Sequence, residues 1–125
     1  MFLVDTNIFL EILLRQDKEE SCKEFLNNNI GNINITDFSL HSIVLILFRY
    51  DKEDIFQKFI EDVTRNTKLL SLPMEKYEEL IGVKKRLKLD FDDSYQYSIA
   101  KYYGLKIVTL DKDFKSVEDL EILFL

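Results

Sequence analysis

With 125 residues, 46% of them hydrophobic and 13% aromatic, the chain carries enough apolar surface for one compact core, which excludes a disordered segment. Only three glycines and one proline interrupt it, disfavouring a many-turned all-β domain, and the lone Cys22 excludes an internal disulfide and fits a reducing cytoplasm. The longest apolar run, Ile43 to Phe48, is far below the ~20 residues of a membrane span, so no membrane association is expected. A formal charge of −6 argues against binding nucleic acid by bulk charge, leaving local cations such as Lys84, Lys85, Arg86 and Lys88 for that task.

In chain order, Met1 to Val4 reads as a buried strand and Thr6 to Arg15 as a helix, with Ile8, Phe9, Ile12 and Leu13 on one face. A second helix is expected from Glu19 to Asn27, then a turn through Gly31 and Asn32 and a strand from Ile33 to Ile35. Thr36 or Asp37 caps a helix reaching Tyr50, and Lys52 to Thr64 forms its antiparallel partner, presenting Ile55, Phe56, Phe59, Ile60 and Val63. Leu69 to Leu72 reads as a third buried strand, and Pro73 as the opening of one helix ending near Leu87. A last helix starts at Asp92 or Asp93 and stops at Gly104, followed by strands at Lys106 to Thr109 and, as an edge, Leu120 to Leu125. No repeat, linker or second core is apparent, so residues 1–125 are expected to form a single domain.

Strands alternating with helices predict a three-layer α/β/α fold with a mainly parallel central sheet, whose ligand crevice lies beyond the carboxyl ends of the strands. Asp5 directly follows the first strand, Asp93 opens a helix, and Asp111 lies two residues past the Lys106 to Thr109 strand, so three acids distant in sequence are candidates to converge there. Carboxylates a few ångströms apart repel unless a cation lies between them. Oxygen-only ligands select hard ions such as Mg²⁺ or Mn²⁺, and the chemistry suited to that arrangement is phosphodiester hydrolysis.

Three segments carry a resemblance to a known family: Phe2-Leu3-Val4-Asp5-Thr6-Asn7, Leu89-Asp90-Phe91-Asp92-Asp93-Ser94 through Ala100, and Ile107-Val108-Thr109-Leu110-Asp111-Lys112-Asp113-Phe114. In this order, near the two ends of a chain this long, they resemble the PIN domains, which include the ribonuclease toxins of VapBC toxin–antitoxin pairs. The resemblance implies a PIN-like fold over the whole chain and a metal-dependent ribonuclease. It implies Asp5, Asp93 and Asp111 as the metal-directing catalytic acids, Asn7 and Thr109 as polar supports, and Asp92 and Asp113 as auxiliaries. An RNA substrate, a homodimer and an antitoxin partner are implied as well. The family pattern adds a glutamate early in the helix after the second strand. Here that register falls on Ser42 beside His41, with Asp37 one turn upstream as the acid available to replace it.

Taken singly, each feature has a plainer reading. Asp5, Asp92 and Asp93 suit helix caps or first turns, Asp111-Lys112-Asp113 a solvated turn, Lys84 to Lys88 the wet face of a helix, and His41 a helix residue that ligates nothing. Tyr95, Tyr97, Tyr102 and Tyr103 could stack on bases, but aromatics at helical spacing are more often core or dimer contacts. Two other functions fit the same outline. One is a binding or assembly module that keeps the fold without turnover, favoured by the missing glutamate. The other is a phosphoryl-transfer domain of the receiver or haloacid-dehalogenase kind, which requires a partnering lysine or a second Asp where Asn7 stands.

Overall fold

The computed structural model describes residues 1–125. Five strands, β1 (Phe2–Val4), β2 (Ile33–Thr36), β3 (Thr67–Leu70), β4 (Lys106–Thr109) and β5 (Ile122–Phe124), form one sheet in the order β3-β2-β1-β4-β5 with every pairing parallel. Six helices cover it: α1 (Thr6–Leu13), α2 (Glu19–Asn28), α3 (Asp37–Arg49), α4 (Glu53–Asn66), α5 (Glu79–Leu87) and α6 (Phe91–Tyr103). The three-layer α/β/α architecture expected from the alternation of elements is therefore present.

Parallel strands buried on both faces send alternate side chains to opposite layers. Leu3 and Ile107 enter one core with Val83, Tyr95, Tyr97, Ile99 and Phe114. Their neighbours Val4 and Val108 enter the other with Ile8, Phe9, Ile43, Leu47 and Phe59. The first layer is thus closed by α5 and α6, the second by α1 to α4.

Strand order turns around at β1, which pairs with β2 on one side and with β4 on the other. Such a reversal opens a crevice at the carboxyl ends of the two diverging strands. Asp5 follows β1 and Asp111 follows β4, so both stand at that opening.

Some boundaries differ from the sequence expectation. β3 comprises Thr67–Leu70, not Leu69 to Leu72, and is not buried: it pairs only with β2, and Leu69 is 55% exposed. Its start is fixed by α4 running directly into it, the Thr67 hydroxyl donating to the Val63 carbonyl at 2.6 Å. The single helix expected from Pro73 to Leu87 is split into a 3₁₀ turn, Met74–Lys76, and α5. Lys76 N–H donates to Pro73 O and Tyr77 N–H to Met74 O, closing three-residue turns. Helix α6 begins at Phe91 because Asp90, not Asp92 or Asp93, is the cap, its Oδ1 accepting from Asp93 N–H at 3.2 Å. Gly104 ends that helix at φ 68°, the left-handed position glycine occupies without strain.

Candidate metal centre

Asp5, Asp93 and Asp111 converge: each offers a carboxylate oxygen within 4.8 Å of the others. Asp5 leaves β1 and caps α1, Asp93 lies in the first turn of α6, and Asp111 leaves β4 and caps a 3₁₀ turn at Lys112–Ser116. Capping and convergence coexist, since the geometry that aims a carboxylate at a helix amide also turns it over the strand ends.

Asp5 is 4% exposed and held from three sides. Its Oδ1 accepts from Thr6 N–H at 2.7 Å and from Gln96 Nε2 at 2.6 Å, and its Oδ2 accepts from the Thr109 hydroxyl at 2.6 Å. The same Thr109 oxygen accepts from Asp111 N–H at 2.9 Å, so one hydroxyl sets the spacing of two acids. Asn7 braces the β4 exit by accepting from Leu110 N–H at 3.3 Å. Thr6 donates to Ser39 Oγ at 2.8 Å and so ties α1 to α3.

The electrostatics of the pocket are unbalanced. Burial raises the Asp5 carboxyl above its usual range despite its three donors, and Asp111 adds to the rise. Asp93 is pushed up to about 8, first by burial and then by the charges of Asp111, Asp90, Asp5 and Asp92. Burial also raises Asp92, and its contact with Asp90 reinforces the shift. No lysine, arginine or histidine nitrogen lies within 4 Å of Asp5, Asp93 or Asp111. Three oxygen donors with no protein cation among them suit a hard divalent ion.

The remaining candidates are placed differently. Asp92 is exposed and joins Asp90 and Asp93 in a second acidic trio on the rim. Asp113 is exposed; its N–H donates to Asp111 Oδ1 at 2.9 Å while its carboxylate stands apart from the converging set. Asp37 does not enter the set either: its Oδ1 accepts from the Tyr95 hydroxyl and from Phe38 N–H, both at 2.8 Å. His41 is exposed and Ser42 half-buried, and neither contributes an acid where the family pattern has its glutamate. Tyr95 and Tyr97 are buried and therefore closed to base stacking, whereas Tyr102 and Tyr103 are exposed.

Gln96, Ser39 and Asp90 escaped the sequence reading. Gln96 lies three residues after Asp93, hence on the same face of α6, and a buried amide there is a signal that i, i+3 spacing carries. Its Nε2 is spent on Asp5, and its Oε1 is buried without a protein partner. Ser39 follows Thr36 at cap spacing, its N–H bonded to the Thr36 hydroxyl at 2.9 Å.

The chain matches the PIN domain over residues 2–120. Solved structures share its fold at low identity. The VapBC2 complex of Rickettsia felis, bound to a DNA fragment from its promoter, aligns with TM-score 0.81 and 17% identity over 99% of this chain and 98% of its own. Mycobacterium tuberculosis VapC20, a toxin that cleaves the sarcin–ricin loop, gives 0.80 and 12% over 98% and 99%. DNA-bound VapBC of Salmonella typhimurium gives 0.80 and 18% over 97% and 95%. A search of curated proteins by sequence returned no match. With the match spanning both acidic segments and the opening strand, the chain belongs to the PIN domain family.

Proposed function

We propose that this chain is a divalent-metal-dependent endoribonuclease whose acids are Asp5, Asp93 and Asp111. The observation that carries the reading is their convergence, unneutralised, at the reversal of strand order. Mg²⁺ or Mn²⁺ held by these carboxylates would polarise the phosphodiester and lower the pKa of the attacking water. The protein's part is positional. Thr6, Gln96 and Thr109 lock the orientation of Asp5, and Thr109 fixes Asp111 relative to it. Asp93, pushed up to about 8 by burial and by the neighbouring acids, would hold such an ion as its carboxylate. Asp111 is the one acid of the three left partly exposed, and it marks the side from which the phosphodiester approaches. A crystal soaked in Mn²⁺ should show anomalous density among these three carboxylates, and single-stranded RNA should be cleaved only with metal present. Carboxylates that bind no Mn²⁺ under saturating conditions would overturn the assignment.

Partners belong to the same proposal. Several structures of this fold are toxin–antitoxin complexes, which supports an antitoxin partner here. A groove of about 510 Å³ lined by Phe9, Ile12, Leu26, Ile55 and Phe59, with Lys58 among its cations, offers apolar surface for it. Leu45, Phe48 and Tyr50, exposed at the end of α3, are in keeping with a homodimer. A cytoplasmic setting accords with the unpaired Cys22, and no helix is long and apolar enough to cross a membrane.

A second reading, a PIN-fold assembly module without turnover, is favoured by Ser42 and by the engagement of Asp37 with Tyr95. It predicts stabilisation by Mn²⁺ with no RNA cleavage. The phosphoryl-transfer alternative needs a lysine beside Asp5 or a second Asp two residues on; no lysine is within ion-pair distance and Asn7 holds that position.

A further inference from the structure

Helix α6, which carries Asp93 in its first turn, also carries part of a cluster of aromatic rings that the positioning of carboxylates does not use. Tyr95, 2% exposed, forms its floor. Its hydroxyl donates to Asp37 Oδ1 at 2.8 Å and accepts from Leu72 N–H at 3.1 Å, so the ring is pinned at its far end from two directions. Phe91 lies stacked on Tyr95, with centroids 5.7 Å apart and planes 28° apart, and Phe38 meets it edge-on at 5.4 Å. Tyr77 meets the Tyr95 ring at 6.0 Å. Despite these contacts Phe91 is 51% exposed and Tyr77 42% exposed. Asp37, whose side chain does not reach the metal centre, thus acts as an anchor for this floor.

We propose that Phe91, backed by Tyr95 and flanked by Tyr77, is the platform on which an unpaired nucleobase of the RNA stacks while the adjoining phosphodiester lies at the acids. The proposal rests on the nuclease reading and names what that site takes: unpaired RNA, engaged by a π-face with no demand on base identity. Position is the first argument, because isolated exposed aromatics are ordinary. Phe91 lies between the Asp90 cap and Asp92, so a half-open ring and the acidic rim share the first turn of α6, the ring on its Tyr95 face and Asp93 on its Gln96 face. Pre-organisation is the second. A ring already stacked and edge-packed loses little freedom when a base covers its open side. Charge is the third. Lys84, Lys85 and Lys88 are exposed, make no ion pair within 4 Å, and belong to the segment ending two residues before Asp90, where flanking phosphates need cations in a chain of net charge −6.

The test uses the full chain with Mn²⁺ and single-stranded RNA oligonucleotides in which 2-aminopurine is walked through each position. Fluorescence reports stacking, and cleavage of the unlabelled oligonucleotide is followed in parallel. One position should be quenched on binding. Phe91→Ala should abolish that quenching and raise KM about tenfold with kcat little changed, given base–aromatic stacking of ~1–3 kcal/mol. Phe91→Trp should restore both, and Phe91→Leu neither. Mn²⁺-induced thermal stabilisation should match the parent in all three variants. Rescue by Leu as complete as by Trp would reduce the contact to unspecific apolar burial and overturn the proposal. So would Phe91→Ala dissociating a dimer in sedimentation, which would assign the ring to a second copy of the chain. Cleavage without quenching at any position would overturn the platform and leave the nuclease reading intact. Quenching lost in Phe91→Ala, in a chain that cuts no RNA, would uphold the platform and overturn the nuclease.

Discussion

Two clusters of charge lie along helix α6, and only one of them is balanced. In the first turn of the helix Asp93 faces Asp5 and Asp111 with no cation within reach, and its carboxyl is driven up to about 8. One turn on, Asp119 accepts from the Tyr97 hydroxyl at 2.6 Å, with Lys101 at 3.6 Å and Arg86 at 3.7 Å, and its carboxyl is pulled below the usual range, chiefly by the tyrosine hydrogen bond. The same helix therefore carries an acid that folding destabilises as an anion and, one turn further along, at Tyr97, a network in which folding stabilises one. Carboxyls crowded in a buried pocket with no cation among them support the reading of a ligand site, whereas the neutralised cluster ties α5 and α6 to Asp119.

Removing an acid from the unbalanced cluster should have the largest effect. Loss of a hydrogen-bond partner to a metal ligand typically costs ~10–100-fold in affinity or activity, so Asp5→Asn, which alters the ligand itself, should lower Mn²⁺-dependent RNA cleavage by at least ~100-fold. The metal-free variant should melt no lower than the parent and even higher, because a repelling charge is gone. Unchanged cleavage by Asp5→Asn would remove this residue from the site.

Thr109→Val keeps the shape of the side chain and deletes the hydroxyl that joins Asp5 to Asp111. Mn²⁺ affinity, measured by calorimetry, should weaken by ~10–100-fold. Some stability should be lost too, since Asp111 N–H is left without its acceptor. A variant binding Mn²⁺ as the parent does would mean that the two acids hold their spacing without this bridge.

Acidity gives a third way to separate the clusters. The folded Asp93 carboxyl titrates near 8 and the unfolded one near 3.8, so between those values the native chain holds a proton that the unfolded chain has shed. Stability contributed by this group is complete below pH ~4 and is lost as pH rises through 8, with a slope of at most ~1.4 kcal/mol per pH unit. Metal-free protein should consequently melt higher at pH 5.5 than at pH 8 by comparison with Asp93→Asn, in which this component is absent. Saturating Mn²⁺ should reverse the trend, because the ionised pocket binds it better. Identical pH profiles for parent and Asp93→Asn would show that burial does not perturb this acid.

How far these regions were legible in the sequence follows from their physics. The layers and the parallel sheet follow from apolar periodicity, and Asp5 and Asp111 were candidates to converge because each stands just past a strand, but only the pairing of β1 with β4 brings them together. Gly104 marked its cap because few residues adopt that backbone. The edge character of β3 and the break after Pro73 are set by pairing partners and by the packing of Tyr77 on Tyr95, which no local pattern encodes. Gln96 was obscured for a similar reason: a polar residue on an otherwise buried helix acquires its meaning only once Asp5, 91 positions away, is opposite it. Asp37 had the right chemistry to replace an acid, and only the position of Tyr95 shows where its carboxylate is engaged.

The balanced cluster should respond least. In Asp119→Asn the amide can still accept from Tyr97, while Lys101 and Arg86 lose a partner they meet near the surface. Exposed ion pairs are worth ~0–1 kcal/mol, so the melting temperature should fall by a few degrees at most. Sodium chloride should narrow the gap between variant and parent by screening the charges in the parent. Mn²⁺ affinity and RNA cleavage should be unaffected, because nothing in this network touches Asp5, Asp93 or Asp111. A loss of cleavage exceeding the loss of stability would mean that strain at the Tyr97 turn of α6 reaches Asp93, and the two turns of the helix would then be one coupled unit.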